Sequence, residues 1–146
     1  MTKKDIQLTP HFSLREMTHS AWAEAHHVDN TPNALQTAAL ENLCRTVLEP
    51  LRQKFGPILI NSGFRSPRVN AAVHGVGASK HLSGEAADIR IPDLATGRAY
   101  YRFLCTLKDI DQLLFEYNRA GAMWIHVSSC LNPAENRNQH FPNYRV

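Results

Sequence analysis

At 146 residues, with 43% hydrophobic and 20% charged side chains, the chain has the size and composition of one compact domain, and disorder is not indicated. Its formal charge of +3 is too small to argue for nucleic acid but would suit an anionic polymer. No apolar run is long enough to span a bilayer, so stable membrane association is not expected, and a monomer is.

The opening carries two lysines with no apolar run behind them, so no secretory signal is expected. Residues 1–11 read as an N-terminal arm. Ser13 can cap a turn through "LREM", with Glu16 as a capping-box partner, and Ser20 can start a second helix through "AWAEAHH". The longest helical pattern is "NTPNALQTAALENLCRTVLEPLRQKFG". Leu35, Ala38, Ala39, Leu43, Val47, Leu48 and Leu51 recur there near the helical period, Pro50 should kink or tighten it, and Gly56 should end it. "PILINSG" reads as a strand, and "FRSPRVNAAVHGVGAS" as loop with a short helix around Arg68 to Val73. "EAADIRIP" is a second strand, closed by Pro92. "ATGRAYYRFLCTLKD" is a helix with Tyr101, Leu104 and Leu107 on its apolar face. "DQLLFEYN" and "MWIHVSSC" are two strands joined through "NRAGA", a turn with the Gly and Asn of a hairpin. The stretch 132–146 is polar and reads as a loop or loose tail. The three cysteines are an odd, scattered set. They read as reduced thiols, with Cys44 and Cys105 expected to be buried. The expected fold is a single α+β domain, with N-terminal helices packed on a small, mostly antiparallel sheet.

Strands present alternate residues on one face. In "EAADIRIP", Asp88 shares a face with Ala86 and Arg90. In "MWIHVSSC", His126 shares one with Trp124 and Ser128. In "DQLLFEYN", Gln112, Leu114 and Glu116 lie together. If the registers agree, Asp88, His126 and Glu116 meet on a common surface, and His81 arrives from the turn before the Asp88 strand. Two imidazoles and one carboxylate are the donor set of a catalytic zinc, with the fourth position left open. A second, non-ligating carboxylate could then handle a proton. Each residue also has an ordinary alternative. His81 could be a loop histidine, Asp88 could pair with Arg65 or Arg90, His126 could be a satisfied core residue, and Glu116 a solvated one.

"SGFRSPRVN", "SKHLSGEAADI", "DQLLFE" and "WIHVS" together resemble the zinc D-alanyl-D-alanine carboxypeptidases and phage peptidoglycan endopeptidases (endolysins), most closely their short phage-type branch. The opening "HFSLREMTHSAWAEA", the N-x-P at Asn30 to Pro32 and "LEPLRQKFG" add to the likeness, which runs from about Phe12 to about Arg137. The resemblance implies one zinc per chain on His81, Asp88 and His126. It implies that Arg65 holds a substrate carboxylate or polarises the scissile carbonyl, and that Ser79 contacts substrate. Gln112, beside Glu116, is expected to do so too. The implied partner is the peptidoglycan stem peptide. The implied setting is a lysin made in the bacterial host cytoplasm that reaches the wall through a holin or in the virion.

Many relatives carry a catalytic carboxylate three residues before the last histidine. Met123 stands there in this chain, so Glu116 on the preceding strand is the expected general base. Met123 also favours a rival reading, a zinc-binding wall-recognition module without catalysis. A cysteine hydrolase on Cys130 and His126 is a third, with no oxyanion-forming motif nearby to support it.

Overall fold

The computed structural model describes residues 5–142. The N-terminal half is helical, and its short helices start where a side chain satisfies the first backbone donors. Ser13 Oγ accepts from Glu16 N at the start of α1 (Leu14–Thr18), and Ser20 Oγ accepts from Ala23 N at the start of α2 (Ala21–Ala25). Asn33 and Gln36 form a reciprocal capping box on α3 (Ala34–Leu43). Such caps are each worth about 1 kcal/mol.

Helix α3 runs unbroken through a π-helical turn, Cys44–Leu48, into α4 (Glu49–Phe55). Pro50 accounts for the turn. It has no N–H to donate to Thr46, four residues back, and its ring would collide with that carbonyl. The chain widens by one residue instead, and the Glu49 N–H reaches Cys44 O. The expected Pro50 irregularity is thus a π turn, and Gly56, at φ 82°, ends the helix. Leu43, Val47, Leu48 and Leu51 are buried as the period required, with Leu40 and Cys44 beside them, but Leu35 is 69% exposed. It lies in the first turn, before the helix reaches the sheet, and Ala38 is exposed as well.

Five strands form the sheet, in the order β3-β4-β6-β5-β7: β3 (Ile60–Ser62), β4 (Ala86–Arg90), β5 (Gln112–Tyr117), β6 (Met123–Ser128) and β7 (Gln139–Phe141). All neighbours are antiparallel except β5 and β7. A small separate hairpin pairs β1 (Gln7–Thr9) with β2 (Phe12–Ser13). One face of the sheet buries Ile89, Leu113, Phe115, Ile125 and Val127 fully, in a single core with residues of α3, the π turn, α4 and the helix Leu94–Leu104, whose Tyr101 ring meets Phe115. The other face carries the polar residues of β4, β5 and β6. Between the strands lie α5 (Pro67–Ala72), a 3-10 turn at Lys80–Ser83 and α6 (Leu94–Leu104). The α+β architecture is the expected one.

Four expectations need correction. The described part of the N-terminal arm is no arm: β1 belongs to the hairpin, and His11 bonds to the buried Glu49 through both its backbone N–H and its ring, each at 2.8 Å. The tail is not loose either. It forms a 3-10 turn at Pro133–Glu135 and then β7. Arg137 closes onto the fully buried Asp111, with Nε at 2.9 Å from Oδ1 and Nη2 at 2.9 Å from Oδ2. Residues 1–4 of the arm and 143–146 of the tail lie outside the described residues. Cys105 is only partly buried, and Leu107 falls beyond the end of α6. Among the described residues no helix is long and apolar enough to cross a membrane.

Candidate metal centre

Strand register decides which side chains meet. Asp88 on β4 sits directly opposite His126 on β6, and His126 directly opposite Leu114 on β5. The next row along the same face is Arg90, Trp124, Glu116. His81 comes from the 3-10 turn that Ser79 caps, Ser79 Oγ accepting from His81 N at 3.2 Å. The turn ends at Gly84, whose φ of 78° is left-handed and whose added Cβ would lie 2.5 Å from Gln36 O. Only glycine lets the chain pass α3 there and enter β4 with Asp88 on the open face.

The His81 ring is oriented from behind. Its Nδ1 lies 2.7 Å from the Gly63 carbonyl, which can only accept, so Nδ1 carries the proton. In the neutral ring Nε2 then presents a lone pair 3.3 Å from Asp88 Oδ1. His126 Nδ1 lies 2.9 Å from the same oxygen. One donor atom from each of the three residues falls within 4.8 Å of the others. Ligands of a tetrahedral zinc at about 2.0–2.2 Å stand about 3.3 Å apart, so this donor set fits the ion. A histidine whose second nitrogen donates to a carbonyl is the usual metal-site arrangement. Burial works against the Asp88 carboxylate, but the bond from His126, with the His81 ring beside it, outweighs this and holds the group well below the usual carboxylate range.

Arg65 leaves β3 just after Gly63 and spreads its guanidinium over three partners. Nε is 2.9 Å from Ser62 Oγ, Nη1 is 3.4 Å from Asn70 Oδ1 and Nη2 is 3.1 Å from Asp88 Oδ2. The pairing with Asp88, one of the two alternatives open for that carboxylate, is thus present, and it fixes the oxygen that faces away from His81. Two of the five guanidinium N–H groups remain free of these contacts. Asn70, 4% exposed, is a site residue that the sequence reading missed. Besides Arg65 it holds the following loop, donating to Val76 O at 2.9 Å. It was visible in "SPRVN", but nothing in an Asn one turn into a short helix marks it. Asn30 of the N-x-P acts similarly. Its amide donates to Thr18 O and Phe64 O and accepts from Ser66 N, tying the first helices to the Arg65 loop.

A cleft of about 420 Å³ opens over these groups. Arg65, Ser79, His81, Asp88 and His126 line it, as do Gln112, Glu116 and Trp124 from β5 and β6. Burial raises the Glu116 carboxyl above its ordinary value, with His126 nearby opposing the shift. Glu116 and His126 are diagonal neighbours on adjacent strands, about 7–8 Å apart, which leaves room for a water between them. Gln112 also reaches sideways, its amide donating to Gln139 Oε1 on β7 at 3.0 Å. Met123, by contrast, lies one strand face away. It packs with the core, beside Ile125 and Val127. In this register a carboxylate at position 123 would point into the core and could not serve the cleft. Cys130 is buried, and burial pushes its thiol up, so it has none of the features of a nucleophile.

The sequence model of the peptidase M15 family matches residues 10–128, most of the chain and all of the cleft. The chain belongs to the peptidase M15 family. This M15 peptidase therefore carries, at the matched positions, a His-Asp-His cluster able to hold a metal ion. No curated protein matches it.

Proposed function

We propose that this M15 peptidase is a zinc-dependent hydrolase of peptide bonds in peptidoglycan stem peptides, of the L-Ala–D-Glu endopeptidase or D-Ala–D-Ala carboxypeptidase type, made as a phage or prophage endolysin. The observation that carries the peptidase reading is the convergence of His81 Nε2, Asp88 Oδ1 and His126 Nδ1 in a cleft that also holds an unpaired-to-metal carboxylate, Glu116. Zinc held by the three residues would supply a Lewis acid and bring the pKa of a coordinated water to near 7.

The remaining work falls to the chain. Glu116 takes the proton of the attacking water and delivers it to the departing amine. Its burial helps, because a carboxyl raised above its ordinary value is a stronger base when ionised. Arg65 offers its two free N–H groups to a substrate carboxylate or to the carbonyl oxygen as charge develops there. Ser79 and Gln112 border the cleft and bind the peptide backbone. The endolysin assignment is supported by the likeness of the opening segment and of "LEPLRQKFG" to the phage-type branch.

The test compares wild type with Glu116→Gln on purified sacculi, with metal analysis of both proteins and mass spectrometry of the new peptide ends. Wild type should hold one zinc and release new amino groups. Glu116→Gln should keep the zinc and lose about 100- to 10,000-fold in turnover. Wild-type turnover in Glu116→Gln would remove it as the base, and loss of zinc would make it a ligand. A zinc-loaded wild type that binds sacculi without releasing amino groups would favour the recognition module.

A further inference from the structure

The cleft does not end at Arg65. On the other side of that residue lies a second depression of about 320 Å³, within the size of a small ligand subsite. The two depressions share Arg65, Val73 and Asp88. A chain passing from one to the other would cross directly over the metal-binding carboxylate and its arginine.

The second depression has the character of a built surface. Phe64 and Val69 are buried beneath it, 3% and 2% exposed. Trp22 of α2 forms a wall. That indole is held rigid: the His26 ring stacks on it at 4.2 Å and 17°, and His26 Nδ1 lies 2.8 Å from Trp22 O. Asn61 of β3 also lines it, and among the described residues its exposed amide makes no hydrogen bond. An amide that both donates and accepts suits a peptide bond. No acidic residue other than Asp88 lines the depression.

We infer that the Trp22–Asn61 depression is a substrate subsite for a short, uncharged stretch of peptide on one side of the scissile bond, so that the enzyme cuts bonds inside a peptide and does not trim a single terminal residue. The inference rests on the peptidase reading above. A subsite on each side of the metal lets contacts remote from the reacting carbonyl contribute to the rate, and substrates that cannot fill one side lose that contribution. The preset stack of Trp22 on His26 lowers the ordering cost of filling it.

The experiment measures kcat/KM of the zinc-loaded protein on three synthetic stem peptides. One has several residues on both sides of the cleaved bond. The other two are each cut back to one residue on one side, one at each end. Wild type should prefer the extended peptide. Truncation at one particular end should remove the preference. Trp22→Ala should shrink it by about tenfold, the size typical of an apolar subsite contact. Asn61→Ala, at an exposed position whose amide has no hydrogen-bond partner among the described residues, should shrink it as well and guards against misfolding of the tryptophan variant. Release of a single terminal residue at a rate equal to or above internal cleavage, or an undiminished preference in both variants, would overturn the inference alone. Cleavage of none of the peptides by zinc-loaded wild type would overturn the peptidase reading and the inference with it.

Discussion

Arg65 illustrates how much of the site's geometry rests on single hydrogen bonds. Its guanidinium joins β3 through Ser62, α5 through Asn70 and β4 through Asp88. A lysine at this position keeps the charge but can aim one ammonium at only part of that arc. Arg65→Lys should therefore retain zinc, since His81 and His126 keep their own supports. Its kcat/KM should fall about tenfold or more, the scale of one lost charge-assisted hydrogen bond. Metal analysis beside steady-state kinetics checks both halves, and full activity in Arg65→Ala would make the residue structural. The common face of Asp88, His126 and Glu116 was legible because strand alternation is strict: once "EAADIRIP", "DQLLFEYN" and "MWIHVSSC" are strands, Asp88 and His126 must share faces with Arg90 and Trp124, whereas His81 sits on a 3-10 turn that alternation does not reach. What alternation cannot give is register. That Asp88 faces His126 and not Trp124 is fixed by pairing across residues far apart in sequence.

At the scale of elements, β7 is the part that the sequence concealed. Three residues, Gln139–Phe141, flanked by Asn and Pro, carry no strand signal of their own. Their pairing with β5 depends on a latch 26 residues apart, in which Asp111 accepts from Arg137 N, Nε and Nη2 and from Ser128 Oγ. The Arg137 guanidinium is the main reason that the Asp111 carboxyl is held below its ordinary value. A carboxylate lowered by folding stabilises the native state above its unfolded pKa of about 3.9, and that contribution is lost as pH falls through the folded value. Asp111→Asn should thus be less stable than wild type by about 1–3 kcal/mol at pH 7, and the gap should narrow from about pH 4 downward. Urea unfolding at several pH values measures it, and a gap independent of pH would remove the ionised latch. The long helix was legible in period but not in its first turn. Leu35 fits the pattern and yet is exposed, because period says which face is apolar and not where the partner surface begins.

Across the whole molecule, the apolar core and the metal cluster occupy opposite faces of one sheet. The core formed by α3, α4, α6 and the buried sheet face contains none of His81, Asp88 and His126. A chelator should therefore leave the fold standing but less stable, and zinc at about 1,000 times its dissociation constant should restore about 4 kcal/mol. Thermal melts followed by far-UV circular dichroism test this. Loss of all secondary structure on chelation would mean that the site is part of the folding core.

The direct opposition of Asp88 and His126 across β4 and β6 also bears on time. The two residues are 38 apart in sequence, and their strands can pair only after the intervening helix and hairpin have been closed into a loop. Without that central pairing the chain can bring together only His81 and Asp88, seven residues apart, and the full three-residue cluster exists only once β4 and β6 have paired. Contacts that form after the rate-limiting crossing act on the reverse rate alone. In stopped-flow experiments zinc should lower the unfolding limb of the chevron and leave the refolding limb where it is. The ion would then be a kinetic lock on a sheet that assembles without it.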